Sequence, residues 1–388
     1  MVTRRPSKWL VGLGVVGGIV LLLALGGWLG WQAVQDYFVQ AYYQQSYQPT
    51  PLAASQLGAY PAEYHLQDVP WIAYDQPVCQ SASLQMLAAQ RGLAEPRRHF
   101  DFLMGFTYGA SSIPGKTGFA PYTDPEPGFL AAAPYLGLTR RYYITDSPDL
   151  FLQALRYYLS QGYAVRLPLN MSRLYNAQEF LGHSEVLVGY AADGFYFYET
   201  VCLPPATCQA GEQAPGAEGI YVSYRTLLEA VADQAKSFFY SWRYTFVVFE
   251  PGPVETDLGP IWKRNGQLLI GGNPYGPKQG ADAIEALAAQ LEQRGVKLHL
   301  GDLRIELETA VYLRHENGNY LREAFPGKAD LEQAAALFDQ AAGDYQRTLD
   351  AVSDGLHDQT EANQAAGWLR DAAQAERQVG DIFLAHSP

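Results

Sequence analysis

Three residues of this chain have the types and settings for covalent chemistry: a cysteine, a histidine and a glutamate. Cys79 lies in "VPWIAYDQPVCQSASLQML" (69–87), where an extended apolar run gives way to helix-like spacing. His183 and Glu199 lie in "GHSEVLVGYAADGFYFYET" (182–200), at the start of one strand-like run and the end of the next. A thiol on the first turn of a helix meets free amides and the positive end of the helix dipole, which favour the thiolate. Ser81, Ala82 and Ser83 follow, small enough for close packing beside an accessible sulfur. Of the seven histidines, His183 alone opens a strand of this kind directly after a glycine. If the two runs pair as a hairpin with Glu199 opposite His183, the turn centres on Ala191. Val188 then faces Gly194, and Gly189 to Asp193 form the loop. Directly opposite side chains share a face about 5 Å apart at Cβ, so the carboxylate would orient the imidazole. The chemistry this predicts is nucleophilic acyl transfer through a Cys-His-acid triad.

Cys202 and Cys208, the other two of three cysteines, bracket "CLPPATC". That spacing can close a small disulfide ring in an oxidising compartment. Metal binding is the alternative, but no His or Cys nearby completes a four-ligand set, so no metal and no cofactor is expected. Their pairing leaves Cys79 as either a buried free thiol or a reactive one.

The elements that must position these groups follow from apolar spacing. Helices are predicted over "LQMLAAQRG", ending at Gly92, and over "DLFLQALRYYLSQG" (149–162). Strands are predicted at 164–169, 184–190, 194–199, 220–224 and 244–250, all rich in β-branched and aromatic residues. A helix carrying the cysteine followed by an antiparallel sheet is an α+β pattern. After "EPGP" (250–253), Asn265-Gly266 predicts a two-residue hairpin turn. Beyond 280 the chain reads as helices, with Leu331, Ala335, Phe338, Ala342, Tyr345, Leu349 and Val352 on one stripe. A second stripe runs through Leu369, Ala372, Val379 and Phe383, and such stripes are packing faces.

At 388 residues, two folded units are the prior. A net charge of −13, with no basic cluster beyond the N-terminus, makes nucleic acid an unlikely partner. Residues 9–31 carry no charge, and as a helix they would span roughly 34 Å, enough for a bilayer core. Arg4, Arg5 and Lys8 precede them, and the first acid afterwards is Asp36. That asymmetry predicts an uncleaved signal anchor, favoured over a cleaved signal peptide, with the N-terminus cytoplasmic and the body extracytoplasmic. Four regions result: an anchor (1–31), a stalk or linker (32–66), a catalytic-type domain (67–252) and a mainly α-helical region (253–388).

The cysteine and histidine segments together resemble the motifs of papain-like cysteine peptidases, nearest to the bacteriocin-leader-peptidase-like branch. The resemblance covers about 67–252. It implies a papain-like fold, with a nucleophile helix packed on an antiparallel sheet, and assigns Cys79 as nucleophile, His183 as base and then acid, and Glu199 as orienting residue. The family's oxyanion-hole glutamine lies five or six residues before the cysteine. Here position 74 is Tyr and the nearest glutamine is Gln76, so Tyr74 and Gln76 are the candidates for that role. Gln80 stands where the family tends to have Gly. A fainter similarity, carried by "NYLREAFPGKADLEQAAALFDQAA", is to proteins like the butirosin-biosynthesis acyltransferase. The expected function is thus a membrane-anchored thiol hydrolase acting on a peptide or protein. The alternatives are acyl transfer by the same triad and a non-catalytic papain-like binding module, and the C-terminal helices would be the docking face for any protein partner.

Overall fold

The computed structural model describes residues 37, 39–112, 119–178, 180–202, 211–213, 217–272, 278–295 and 300–387. Among them no helix is long and apolar enough to cross a membrane. The expected single-pass anchor, and the cell-membrane placement built on it, are corrected accordingly. The uncharged run at 9–31 on which they rested lies outside the described residues. No disulfide joins two described residues and Cys79 is a free thiol, while the expected Cys202–Cys208 disulfide falls on Cys208, which lies outside the described residues.

A helix over 39–47 (α1) lies in the segment read as a stalk or linker. Tyr43 and Tyr47, one turn apart, are both buried and pack their rings against Tyr240. The Tyr47 carbonyl accepts a hydrogen bond from buried Arg140. The aromatic residues that gave this segment no obvious period are what fasten it to the core.

One eight-stranded sheet organises the middle of the chain. It contains β1 (Thr50–Pro51), β2 (Tyr64–His65), β4 (Leu138–Thr145), β5 (Val165–Asn170), β6 (Gly182–Tyr190), β7 (Gly194–Tyr198), β9 (Ile220–Ser223) and β10 (Tyr244–Pro251). The order is β1-β4-β10-β5-β6-β7-β9, with β2 alongside β6. A separate pair joins β3 (Trp71–Ala73) to β8 (Gly211–Gln213). β1 runs parallel to β4 while the other ladders are antiparallel. The sheet is therefore mixed, and the expected α+β class built on an antiparallel sheet becomes mixed α/β. A parallel partner cannot arrive through a hairpin, and here it arrives by a long crossover from the N-terminal side. β4, "LTRRYYIT", escapes the sequence reading because of its two arginines, yet the strand alternation puts Arg140 inside and Arg141 outside.

Helix α2 (Cys79–Ala89) is buried along most of its length, including Ser81, Ala82, Ser83, Leu84 and Met86. It packs against β6 and against α3 (Arg97–Met104). Helices α4 (Pro125–Ala132), α5 (Pro148–Ser160) and α6 (Tyr224–Ser237) flank the sheet. In α5 the Ser147 hydroxyl caps the Leu150 amide, fixing the start predicted from the apolar pattern.

Asn265-Gly266 is not a hairpin turn. Both residues sit in α7 (Gly259–Ile270), followed by α8 (Gly280–Arg294), α9 (Leu300–Ala324), α10 (Ala329–Asp354) and α11 (Gln359–Ala385). Asn265 is buried and its amide donates to the Phe102 carbonyl. A Cβ on Gly266 would come within 2.8 Å of the Gly380 carbonyl of α11, so the glycine here permits close helix contact. Both apolar stripes predicted in the C-terminal half are buried. The main core runs without a break from Phe102 and Tyr108 to Trp262, Tyr320, Phe338 and Phe383, so position 252 is not an edge of that core.

Candidate active site

Cys79 is the first residue of α2, and Val78 precedes it as N-cap with no side-chain cap. The first helical bond at this end is from Ala82 N–H to the Val78 carbonyl, so the amides before it lie outside the helix ladder. Gln80, in the place where a glycine was expected, turns inward and accepts from the Arg166 guanidinium at 2.6 Å. Arg166, fully buried on β5, also donates to Ser184 of β6 at 2.7 Å and to Glu126 of α4 at 2.5 Å. Ser184 in turn meets Ser83 of α2 at 3.0 Å. One arginine thus ties the nucleophile's helix to the strand that carries the histidine.

His183, on β6, is 5% exposed, Cys79 8% and Glu199 4%, so the three form an enclosed site. The His183 Nε2 lies 2.5 Å from Glu199 Oε1. Cys79 lies near enough for its sulfur to help raise the His183 ring, and since Nε2 serves Glu199, Nδ1 is the nitrogen left to face it. Glu199 follows β7, and its carboxylate folds back onto its own chain. Oε1 accepts from the amides of Thr200 at 2.9 Å and Val201 at 3.1 Å, and Oε2 from the Tyr175 hydroxyl at 2.7 Å. Trp71 stacks on Tyr198 and donates from its indole to the Glu199 carbonyl, which fixes the backbone of the acid.

Glu199 reaches His183 by another register than the one expected. Val186 pairs with Tyr198 and Leu187 with Phe197, but Gly189 pairs with Tyr196, so Val188 is an extra residue in β6. This β-bulge replaces the symmetrical hairpin with Val188 facing Gly194. The Val188 carbonyl accepts from Leu66, and Gly189 lies where a Cβ would strike His65, so β2 holds the bulge in place. Continuing the ladder by one residue puts Glu199 opposite Glu185, which leaves His183 as a diagonal neighbour, still within reach.

Glu185 is the residue the sequence reading passed over. It is fully buried on β6, two residues beyond His183 and therefore on the same face, with Oε1 3.2 Å from His183 Nε2. The signal for it was available: a lone acid inside "HSEVLVGY", a run otherwise suited to a buried strand.

Charges in the cluster are strongly coupled. For His183, burial acts to lower the pKa, but Glu199, Glu185 and the Cys79 sulfur outweigh it and hold the ring well above its ordinary value. For Glu199, burial acts to raise it, while His183 and the surrounding hydrogen bonds bring it down to about 2. Glu185 is raised well above the usual carboxyl range, first by burial and then by Glu199. These shifts favour the protonated form of His183 and of Glu185 and the ionised form of Glu199.

His183, Glu185 and Glu199 also have the residue types of a metal site, with donor atoms within 4.8 Å of one another. Two ligands on one ion at about 2.0–2.1 Å each stand about 3.3 Å apart in a tetrahedral site. The 2.5 Å contact between Nε2 and Oε1 is instead the distance of a charge-assisted hydrogen bond.

The oxyanion candidates separate. The Tyr74 hydroxyl donates to Gln85 at 2.7 Å, a turn and a half along α2, and its backbone exchanges bonds with Thr200 and Cys202. It supports the loop after Glu199, and its hydroxyl is turned away from the sulfur. Gln76 stays three residues upstream of Cys79, half-buried. A further neighbour is Tyr122, whose hydroxyl is raised by burial, then by Glu306 of α9 and by Cys79. Surface concavities of about 630 and about 400 Å³ lie elsewhere, one beside Asp146, Asp233 and Trp242, the other beside Tyr64, Tyr190 and Glu218.

No protein-family model matches the chain, and no curated protein matches it. The reading of this site rests on its own geometry.

Proposed function

We infer that the chain is a thiol-dependent acyl-transfer enzyme, acting as a hydrolase of amide bonds in a peptide or protein, with a papain-like division of roles. The observation that carries this reading is the His183–Glu199 hydrogen bond with the Cys79 thiol near enough to act on the same ring, assembled from a helix start, a strand and the residue after the next strand. The Cys79 thiolate attacks the carbonyl carbon, forming a C–S bond and an oxyanion. Collapse expels the amine, which takes its proton from the His183 imidazolium, and a thioester remains on Cys79. His183, now neutral, removes a proton from water as the water attacks that thioester, and the thiolate leaves. Glu199 holds the Nε2 proton and offsets the ring's charge throughout.

Transfer to an amine is the second reading. It is favoured by the enclosure of the site, with Cys79 8% exposed, because enclosure limits the access of water to the thioester.

An epoxysuccinate-type electrophile, or iodoacetamide as a smaller one, should label Cys79 in the wild-type chain. Labelling should fall by about two to four orders of magnitude in His183→Ala. Equal, slow labelling of both proteins would leave a binding module with no thiol chemistry. Release of a labelled acyl group to added amine in preference to water would select transfer over hydrolysis.

A further inference from the structure

We propose that Glu185 is a positioning residue of this site, a carboxyl group whose O–H donates to the Glu199 carboxylate and so sets how strongly Glu199 holds His183. The inference rests on the Cys79–His183–Glu199 reading and extends it to a fourth residue.

The argument is one of elimination among donors. Glu185 has no exposed surface, and neither of its oxygens accepts a hydrogen bond. Among the described residues, the donors near it are committed elsewhere. The single Nε2 proton of His183 goes to Glu199 at 2.5 Å, closer than Glu185 at 3.2 Å. The Tyr175 hydroxyl goes to Glu199 Oε2, and the Thr200 hydroxyl to the Ser184 carbonyl at 2.9 Å. An ionised carboxylate here would be a buried anion beside another buried anion, with no donor of its own. As an acid it has one proton to give, and Glu199 is the acceptor that the facing strand supplies, with a carboxylate oxygen of each within 4.8 Å of the other. The titratable groups facing it are His183 on its own strand, Glu199 after the neighbouring one and Tyr175 from the loop before β6, with Cys79 beyond the ring.

Such a bond spreads the Glu199 charge and lowers its basicity. His183 then keeps its orientation without being pinned as an imidazolium too firmly to release its proton. A glutamine can donate the same bond from its amide, whereas a residue of equal length with no donor cannot.

The experiment follows iodoacetamide alkylation of Cys79 against pH, read by mass spectrometry at that residue, in the full chain and in Glu185→Gln, Glu185→Met and His183→Ala. The proposal expects Glu185→Gln to reproduce the wild-type profile. It expects Glu185→Met to move the alkaline limb, where His183 gives up its proton, up by about one pH unit, the size of one lost hydrogen bond to a charged group. If Gln and Met shift the profile alike, or if the Gln variant loses affinity for added Zn²⁺ that the wild type binds, the carboxyl acts as an anion and the proposal is overturned. If Met leaves the profile unmoved, the residue has no positioning role. Should the Met variant not fold, the infrared difference between wild type and Glu185→Gln decides: loss of a protonated carboxyl stretch supports the proposal, and loss of carboxylate bands ends it. His183→Ala tests the underlying reading separately, since unchanged alkylation in that variant removes the triad whatever Glu185 does.

Discussion

Two buried charge clusters in this molecule are built on opposite plans. In the helical half, Arg314 of α9 and Glu376 of α11 are fully buried and form a two-pronged pair, Nε to Oε1 at 2.6 Å and Nη2 to Oε2 at 3.0 Å. Tyr345 of α10 adds a hydroxyl to the same carboxylate at 2.8 Å, and Arg314 Nη1 reaches the Thr107 carbonyl and Asn317. The principal polar atoms have partners, and three helices and a loop are tied through one arginine. In the sheet half, the carboxyl of Glu185 accepts nothing, a charge-assisted hydrogen bond joins His183 and Glu199, and the thiol is free. Buried polar groups that are fully paired serve structure. A cluster that leaves one group unpaired keeps protons available to move.

The contrast can be tested from both ends. Arg314→Met should destabilise by about 3–5 kcal/mol, because it strands a buried carboxylate, and Cys79 alkylation in the fraction still folded should keep its rate. Denaturant melts and alkylation on one sample measure both. Adding Glu376→Gln should recover much of the loss, which a simple packing defect would not allow.

Neutralising Glu185 should do the reverse. Its folded-state pKa is raised, so above about 4.5 the unfolded chain sheds a proton that the native chain keeps, and wild-type stability falls relative to a residue that cannot ionise. Glu185→Gln should therefore be more stable than wild type at neutral pH, by a margin that shrinks as pH falls toward 4.5. Thermal melts at several pH values read this, and a loss of stability at pH 7 would contradict the assignment. The neighbours carry other signs. Glu199, depressed to about 2, stabilises the fold above its ordinary 4.5 and loses that contribution as pH falls through the acid range. His183, raised, contributes fully below 6.5 and loses it only as pH climbs through its elevated folded value.

The smallest effect is expected at Tyr175→Phe, which removes one of the donors to Glu199 from a side chain that is 40% exposed. The alkaline limb of Cys79 alkylation should rise by less than about one pH unit, with stability within about 0.5 kcal/mol of wild type. A shift as large as that of Glu185→Met would mean that the tyrosine, not the second acid, holds Glu199.

Much of the site was legible because its chemistry is local. A cysteine at a helix start and a histidine after glycine at a strand start show in a dozen residues each, and both landed where expected. The register did not, because the bulge at Val188 is held by Leu66 and His65 from another part of the chain. Asn265-Gly266 misled for a similar reason: the pair favours a tight turn in isolation, but Phe102 and Gly380 give each residue a different use inside a helix. The tyrosines of 39–47 looked aperiodic until Tyr240 and Tyr142 met them.

The sequence alone determined that Cys79, His183 and Glu199 had the types to act, where their helix and strands lay and which stripes would be buried, since these depend on residue type and short-range spacing. The tertiary structure alone decided that Glu199 pairs with His183 across a bulged ladder, that Glu185 lies beside them with no donor to satisfy it, and that Arg314 is fully paired. Those outcomes depend on which distant groups share a dry interior, where each proton has few acceptors and the nearest takes it.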